Sequence, residues 1–404
     1  MKNLLCILRI LCLSAIPYSQ LNADKLFFSP DNTQTGSIPI IAYMGVPGTQ
    51  SSDVTFKDFR QAGFDVCISN YSSIQEAQKA LYYAERQGVK IIARCPETMK
   101  HPQKVAKALK GYKALYGYLI DDEPNAERFH ELRSVIDIMK KEDNEHLFYI
   151  NLLPYYGKTI LKVTKTGSYQ EYVQRGTALG SQVISFDHYP IVKEKIRKEW
   201  YENLEIIRQE SLRTGKPFWG FVLSTPHLDY PQPTLASLRL QAYANLAYGA
   251  QAIQYYSYWT SKPNGKCDWH DGPISNEGKK TKTYEIVKNM NEELRAVGNL
   301  FSGAKILSVH HLMDIPEGTT KQPSLPVNLA SLSIRGGVGA IISVFSKDNH
   351  QYLAMVNKDH QHYMTVFIEA KNDKLIHITK KLKTEKLKSS YPVPGGDILL
   401  FRLK

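Results

Sequence analysis

The stretch LYGYLIDDEPN (115–125) starts as an apolar strand and ends on three adjacent acids and a proline. Like charges repel, and taking carboxylates out of water is costly. A strand tolerates such an ending where it opens onto solvent, or where the carboxylates are used. The neighbouring sequence decides which, because it fixes the fold to which this strand belongs.

One pattern recurs along the chain. A helical stretch ends in glycine and a short apolar run follows: Gly63 before FDVCISNY, Gly88 before VKIIARCP, Gly215 before KPFWGFVLS and Gly249 before AQAIQYYSYW. Glycine just past a helix takes the left-handed cap conformation, so each instance reads as helix, cap, strand. Ile74, Ala77, Leu81 and Ala84 share one helical face, as do Trp200, Leu204, Ile207 and Ser211.

The runs themselves are IPIIAYMGV (38–46), FDVCISNY (64–71), VKIIARCP (89–96), LYGYLIDDE (115–123), LFYINLLP (147–154), QVISFDHYP (182–190), PFWGFVLS (217–224) and AIQYYSYW (252–259). They are continuously apolar rather than alternating, as expected of strands covered on both faces. Strands alternating with helices over roughly 270 residues predict a (β/α)8 TIM barrel, placed at 24–303. A doubly wound sheet would carry a glycine-rich phosphate loop after its first strand; Gly45, Val46, Pro47 and Gly48 do not form one. Over 304–404 the runs ILSVHHLM, GAIISVFS, QYLAMVN, YMTVFIEA and ILLFRL, set between turn residues, predict a small antiparallel, β-sandwich-like domain.

The first 23 residues are read as a secretory signal, a lysine followed by apolar and then small and polar residues, and the protein is expected outside the cytoplasm. No later segment approaches the ~20 apolar residues of a membrane span. With the leader removed, Cys67, Cys95 and Cys267 remain, an odd number that gives no disulfide framework. Cys67 and Cys95 lie in strands and are expected as buried thiols. The formal charge of +12 is scattered, densest at Lys374, Lys380, Lys381, Lys383, Lys386 and Lys388. It reads as a solvated face or as attraction to an acidic polysaccharide, and no nucleic-acid-binding signature accompanies it.

In a barrel of this kind the active site lies at the carboxyl ends of the strands. Those ends offer Asn70 after the second strand, Asp121, Asp122 and Glu123 after the fourth, Asn151 after the fifth, and Asp187, His188 and Tyr189 after the sixth. The eighth ends on Tyr256 and Trp259, with Asp268, Asp271 and the loop around them beyond. Carboxylates, amides and flat rings suit sugar hydroxyls and pyranose faces. The spacing of a zinc site and a Ser-His-Asp order are both missing, and no metal or cofactor is expected. His310 and His311 fall in the β-region and are expected at its surface.

Glu123 at the end of strand four, followed by Pro124, together with an aromatic strand eight ending in Trp259, resembles the (β/α)8 glycoside hydrolases of clan A. The run GYLIDDEPN…ISFDHYP…PFWGFVLS…QYYSYW is also similar to secreted glycosidases of polysaccharide-degrading gut bacteria. The resemblance covers the barrel and implies hydrolysis of an O-glycosidic bond in a carbohydrate, Glu123 as general acid/base, and a substrate contact at the residue before it. Two positions depart from the clan pattern. Asp122 stands where the clan has Asn, and strand seven, PFWGFVLS, carries no nucleophilic carboxylate.

Three repairs remain open. Asp187 is one candidate second carboxylate, across a gap expected to hold a water as in inverting enzymes. The Asp122–Glu123 pair also resembles that of hexosaminidases that use the substrate's acetamido group as nucleophile. Asp268 or Asp271 is the third. The binding set expected beside the catalytic pair is Asn70, Asp121, Asp122, Asn151, His188, Tyr189, Tyr256 and Trp259. A non-catalytic carbohydrate-binding barrel is the competing class. In every version, neighbouring carboxylates raise the affinity of at least one for its proton, which is what a general acid needs.

Overall fold

Each predicted strand run forms a parallel strand, and the eight close on one another. The computed structural model of the chain describes residues 36–404 apart from positions 327 and 373, so the leader expected at 1–23 lies outside the described residues. The strands are β1 (Ile40–Tyr43), β2 (Val66–Asn70), β3 (Lys90–Arg94), β4 (Leu115–Asp122), β5 (Leu147–Leu152), β6 (Ile184–Phe186), β7 (Phe218–Leu223) and β8 (Ala252–Tyr256). Their order around the closed barrel is β1-β8-β7-β6-β5-β4-β3-β2, so every strand pairs with its sequence neighbour and β8 closes on β1.

The continuous apolarity of the runs follows from burial on both sides. Ile41, Ile68, Ile92, Leu119, Leu147 and Phe221 fill the barrel interior. Ile40, Cys67, Ile91, Ile120, Phe148 and Ile253 pack outward against the helices. Cys67, Cys95 and Cys267 are free and buried. The four cap glycines all take positive φ, between +64° and +107°. At Gly215 and Gly249 this left-handed residue ends its helix and turns the chain back into the next strand.

The helix Lys282–Phe301 is the last of the barrel, and antiparallel structure begins at Lys305. A six-stranded sheet includes Lys305–Met313, Gly339–Lys347, His350–Asn357 and Ile398–Leu403, and a three-stranded sheet is made of Leu329–Arg335, Met364–Ala370 and Ser390–Val393. Ile342, Leu353, Met355, Val366, Tyr391 and Phe401 share one core between these sheets, giving the sandwich.

The junction between the two regions centres on helix Leu235–Tyr248, which is buried almost throughout. Gly396 lies against the backbone of Ala236 and Leu240, where a side chain would collide. Lys380 reaches Glu293 and Asp397, each at 2.9 Å, and Arg239 pairs with the same two acids. The surface expectation for His311 is corrected here: it is 1% exposed and its Nε2 meets the Tyr248 hydroxyl at 2.8 Å. The register of its strand turns its ring into the junction. No helix among the described residues is long and apolar enough to cross a membrane.

Candidate active site

Strand β4 carries its acids to the mouth by breaking its own alternation. In a regular strand Asp121, Asp122 and Glu123 would point to alternating faces. The pairing with β5 shifts between Leu119 and Asp121, and Glu123 takes φ +50°. That left-handed conformation is costly for a residue with a side chain, and such outliers concentrate at functional sites. The Glu123 N–H donates to the Asn151 carbonyl at 2.9 Å, which holds the turn. The strand therefore ends with Asp122 and Glu123 both facing the barrel opening.

Asp121 faces elsewhere. One of its oxygens accepts from Arg94 at 3.2 Å and the other from Arg128, and the residue is 3% exposed. This corrects its expected contact with substrate, because both carboxylate oxygens are already paired.

The Asp187 carboxyl lies close to Glu123 and to the Asn151 amide, near enough for each to bear on its protonation, and one of its oxygens is buried with no hydrogen-bond partner. The Tyr189 hydroxyl donates to its other side at 3.4 Å. Asp122 accepts from the Asn151 amide at 3.2 Å and from the Tyr43 hydroxyl. Beneath them a polar chain runs into the barrel. The Ser185 hydroxyl donates to the Asn151 oxygen at 2.8 Å, and Gln254 and Tyr149 meet Ser185 at 2.9 and 2.7 Å.

Asp122 and Glu123 are exposed at the opening, with protein packed close around their carboxyl groups. This enclosure, with the Asp122 charge second, pushes the Glu123 carboxyl up to about 7. Burial also raises Asp122, against the hydrogen bonds from Tyr43 and Asn151. Asp187 is raised well above the usual range by burial and then by the charges of Glu123 and Asp122. Three carboxyls this close cannot all ionise, so the cluster keeps a proton near neutral pH.

The remaining expected residues divide. Tyr189 and Tyr256 form a wall beside the cluster, with ring centroids 5.7 Å apart. Asn70 and Trp259 lie across the mouth, lining a cavity of about 360 Å³ with Gln50, Lys262 and Asn276. Asn151 is buried and acts through Asp122, Asp187 and Ser185 rather than at the surface.

His188 is corrected as a substrate contact. It is 1% exposed, packed edge-on to Tyr156, with Nδ1 donating to Asn203, and burial lowers its pKa to about 3. Asp268 and Asp271 stand apart from the cluster: the first accepts from the Leu228 N–H at 2.6 Å, and the second is exposed beside His270.

Ser185 and Gln254 were not expected from the sequence. Tyr43 ends strand one and was legible by position, whereas the interior hydroxyl and amide carried no signal of their own.

Residues 132–297 match the model of the glycoside hydrolase 42, or beta-galactosidase, family. No curated protein matches. Among solved structures, the beta-galactosidase of Bacillus circulans superposes with a TM-score of 0.62 at 10% identity, covering 91% of this chain and 99% of that one. A family 5 glycoside hydrolase of Bacteroides vulgatus gives 0.56 at 11% identity, over 91% and 88%. The beta-galactosidase of a psychrophilic Marinomonas gives 0.49 at 10%; 64% of this chain is covered but only 60% of that longer one. The chain is thus similar to the glycoside hydrolase 42 family in its 132–297 segment, and its fold is similar to that of solved glycoside hydrolases.

Proposed function

We propose that the chain is a secreted glycosidase that hydrolyses an O-glycosidic bond of an oligo- or polysaccharide, with Glu123 as general acid/base and Asp187 as its partner. The observation that carries this reading is the closeness of these two carboxyls at the barrel mouth, where each bears on the other's protonation. Glu123 is held protonated near neutral pH by burial and by Asp122, the state from which it can protonate a leaving oxygen. The reading proposed is a retaining mechanism, which uses carboxyls ~5 Å apart where an inverting one uses ~6.5–9.5 Å. In this reading the Asp187 oxygen attacks the anomeric carbon as Glu123 gives its proton to the leaving group. Glu123 then takes a proton from the water that frees the sugar.

The test is turnover of a glycan panel by the full chain and by Glu123→Gln and Asp187→Asn, with the product anomer followed by NMR. Loss of general-acid help lowers kcat by about 10²–10⁴-fold. Undiminished turnover by Glu123→Gln sinks the assignment. Inversion of the anomer removes Asp187 as nucleophile.

A second reading rests on Asp122, which Tyr43 and Asn151 hold in a fixed orientation. An oriented carboxylate next to the acid suits a substrate whose own 2-acetamido group attacks. Activity confined to 2-acetamido sugars, and lost more in Asp122→Asn than in Asp187→Asn, would select it.

A further inference from the structure

Arg197 stands out among the arginines of the barrel region. Every other arginine between 36 and 303 contacts an Asp or Glu carboxylate, and Arg197 contacts none among the described residues. It follows the hairpin Ile191–Val192 and Lys195–Ile196, which leaves the barrel directly after the segment bearing Asp187. Its guanidinium lies 4.5 Å from the Tyr156 ring centroid and 5.9 Å from that of Tyr230. One Nη2 donates to the Tyr230 hydroxyl at 3.4 Å, and the buried Nε has no acceptor among the described residues. Stacking on rings fixes the plane of a guanidinium and leaves its in-plane N–H fork to take a carboxylate or sulfate.

The position connects to the catalytic cluster. Tyr230 packs edge-on to Tyr189 at 5.9 Å, and the Tyr189 hydroxyl donates to Asp187. Arg197 is thus two side chains from the second carboxylate, on one continuous aromatic wall. It also lines a cavity of about 660 Å³ between the hairpin and the loop at 358–362. Lys358, in the same lining, is 1% exposed and reaches the Asp314 carbonyl oxygen but no carboxylate. Glu194 and Asp359, two of the four acids lining this cavity with Asp314 and Glu317, pair with His360 and His362. The whole chain carries +12, which draws polyanions toward it.

Resting on the glycosidase reading above, we infer that Arg197 receives the carboxylate or sulfate of an acidic sugar unit seated next to the one that is cleaved. The enzyme then selects an acidic glycan, and Arg197 sets that preference without entering the bond-breaking step.

The test is calorimetric binding to the full chain carrying Glu123→Gln, which keeps substrate intact. Oligogalacturonides beside their methyl esters form the carboxylate arm, and chondroitin sulfate oligosaccharides beside their desulfated forms the sulfate arm. An acidic member should bind at least tenfold tighter than its neutral counterpart, and the responding arm names the group. Adding Arg197→Gln should erase the difference and leave neutral affinity unchanged. Arg197→Lys, which keeps the charge but loses the planar fork, should retain part of it. Equal binding of acidic and neutral members overturns the inference, as does a preference that survives Arg197→Gln. If the unsubstituted chain hydrolyses neutral members, Glu123→Gln abolishes this, and no acidic preference is seen, only this inference falls. No hydrolysis of any member overturns the glycosidase reading and this one with it.

Discussion

Asn151 donates to Asp122 at 3.2 Å while its side-chain oxygen accepts from Ser185 at 2.8 Å. The carboxylate cluster at the mouth is thereby tied to groups in the dry interior of the barrel, and the setting of one depends on the other. Ser185→Ala removes the hydroxyl on which Asn151, Gln254 and Tyr149 converge. Buried groups left short of a partner cost about 1–3 kcal/mol, so the urea midpoint should fall accordingly. With Asp122 less firmly held, kcat should drop more than KM rises. An unchanged kcat would show that the chain does not position the site.

The acid limb gives a pH prediction. Glu123 must be protonated to act, and its carboxyl sits at about 7. Activity should therefore fall as pH rises through about 7. Asp122→Asn removes the second contributor to that rise and leaves burial, the largest, in place. The limb should move to lower pH yet stay above the ordinary range for Glu. A limb that stays in place in Asp122→Asn would show that the Asp122 charge does not act on Glu123.

Stability should carry the same signature. A carboxyl raised in the folded state favours folding while protonated and loses that contribution as pH rises through the folded value. Because Glu123 and Asp187 are both raised, the melting temperature of the unsubstituted chain should decline from pH 5 to 8. Glu123→Gln cannot ionise there and should melt progressively higher than the unsubstituted chain as pH increases. Parallel curves for the two proteins would contradict a proton held within the cluster at Glu123.

Asp121 offers a structural control. Its buried carboxylate bridges Arg94 and Arg128, and Asp121→Asn leaves both cations without their partner. Because the arginines are 25% and 40% exposed, solvent offsets part of the loss that a dry pair would show. The expected cost is about 2 kcal/mol, read as a lower urea midpoint. A loss under 0.5 kcal/mol would mean that water replaces the carboxylate at no cost.

The barrel was legible because each strand repeats one device, an apolar run after a glycine-capped helix. The acid cluster was legible because three carboxylates on an apolar strand contradict their surroundings. Their separation was not, since it depends on Glu123 leaving the alternation of β4, a backbone choice with no residue signature. Asp121 and His188 looked like ligand contacts from their places in the strand ends. What withdrew them were partners distant in sequence or off the strands, Arg94 and Arg128 for one, Asn203 for the other. Ser185 and Gln254 lie 69 positions apart and look like ordinary polar residues until the barrel closes.

Helix Leu235–Tyr248 has a consequence for any attempt to work with the barrel by itself. Tyr243, Leu246 and Tyr248 are fully enclosed, partly by the sandwich strands that follow Gly303. Ending the polypeptide there would bare an oily seam along this helix and strip Glu293 of Lys380. The truncated product should aggregate. The sandwich is in this sense a lid on the outside of the barrel, and genetic dissection of the enzyme has to carry both halves together.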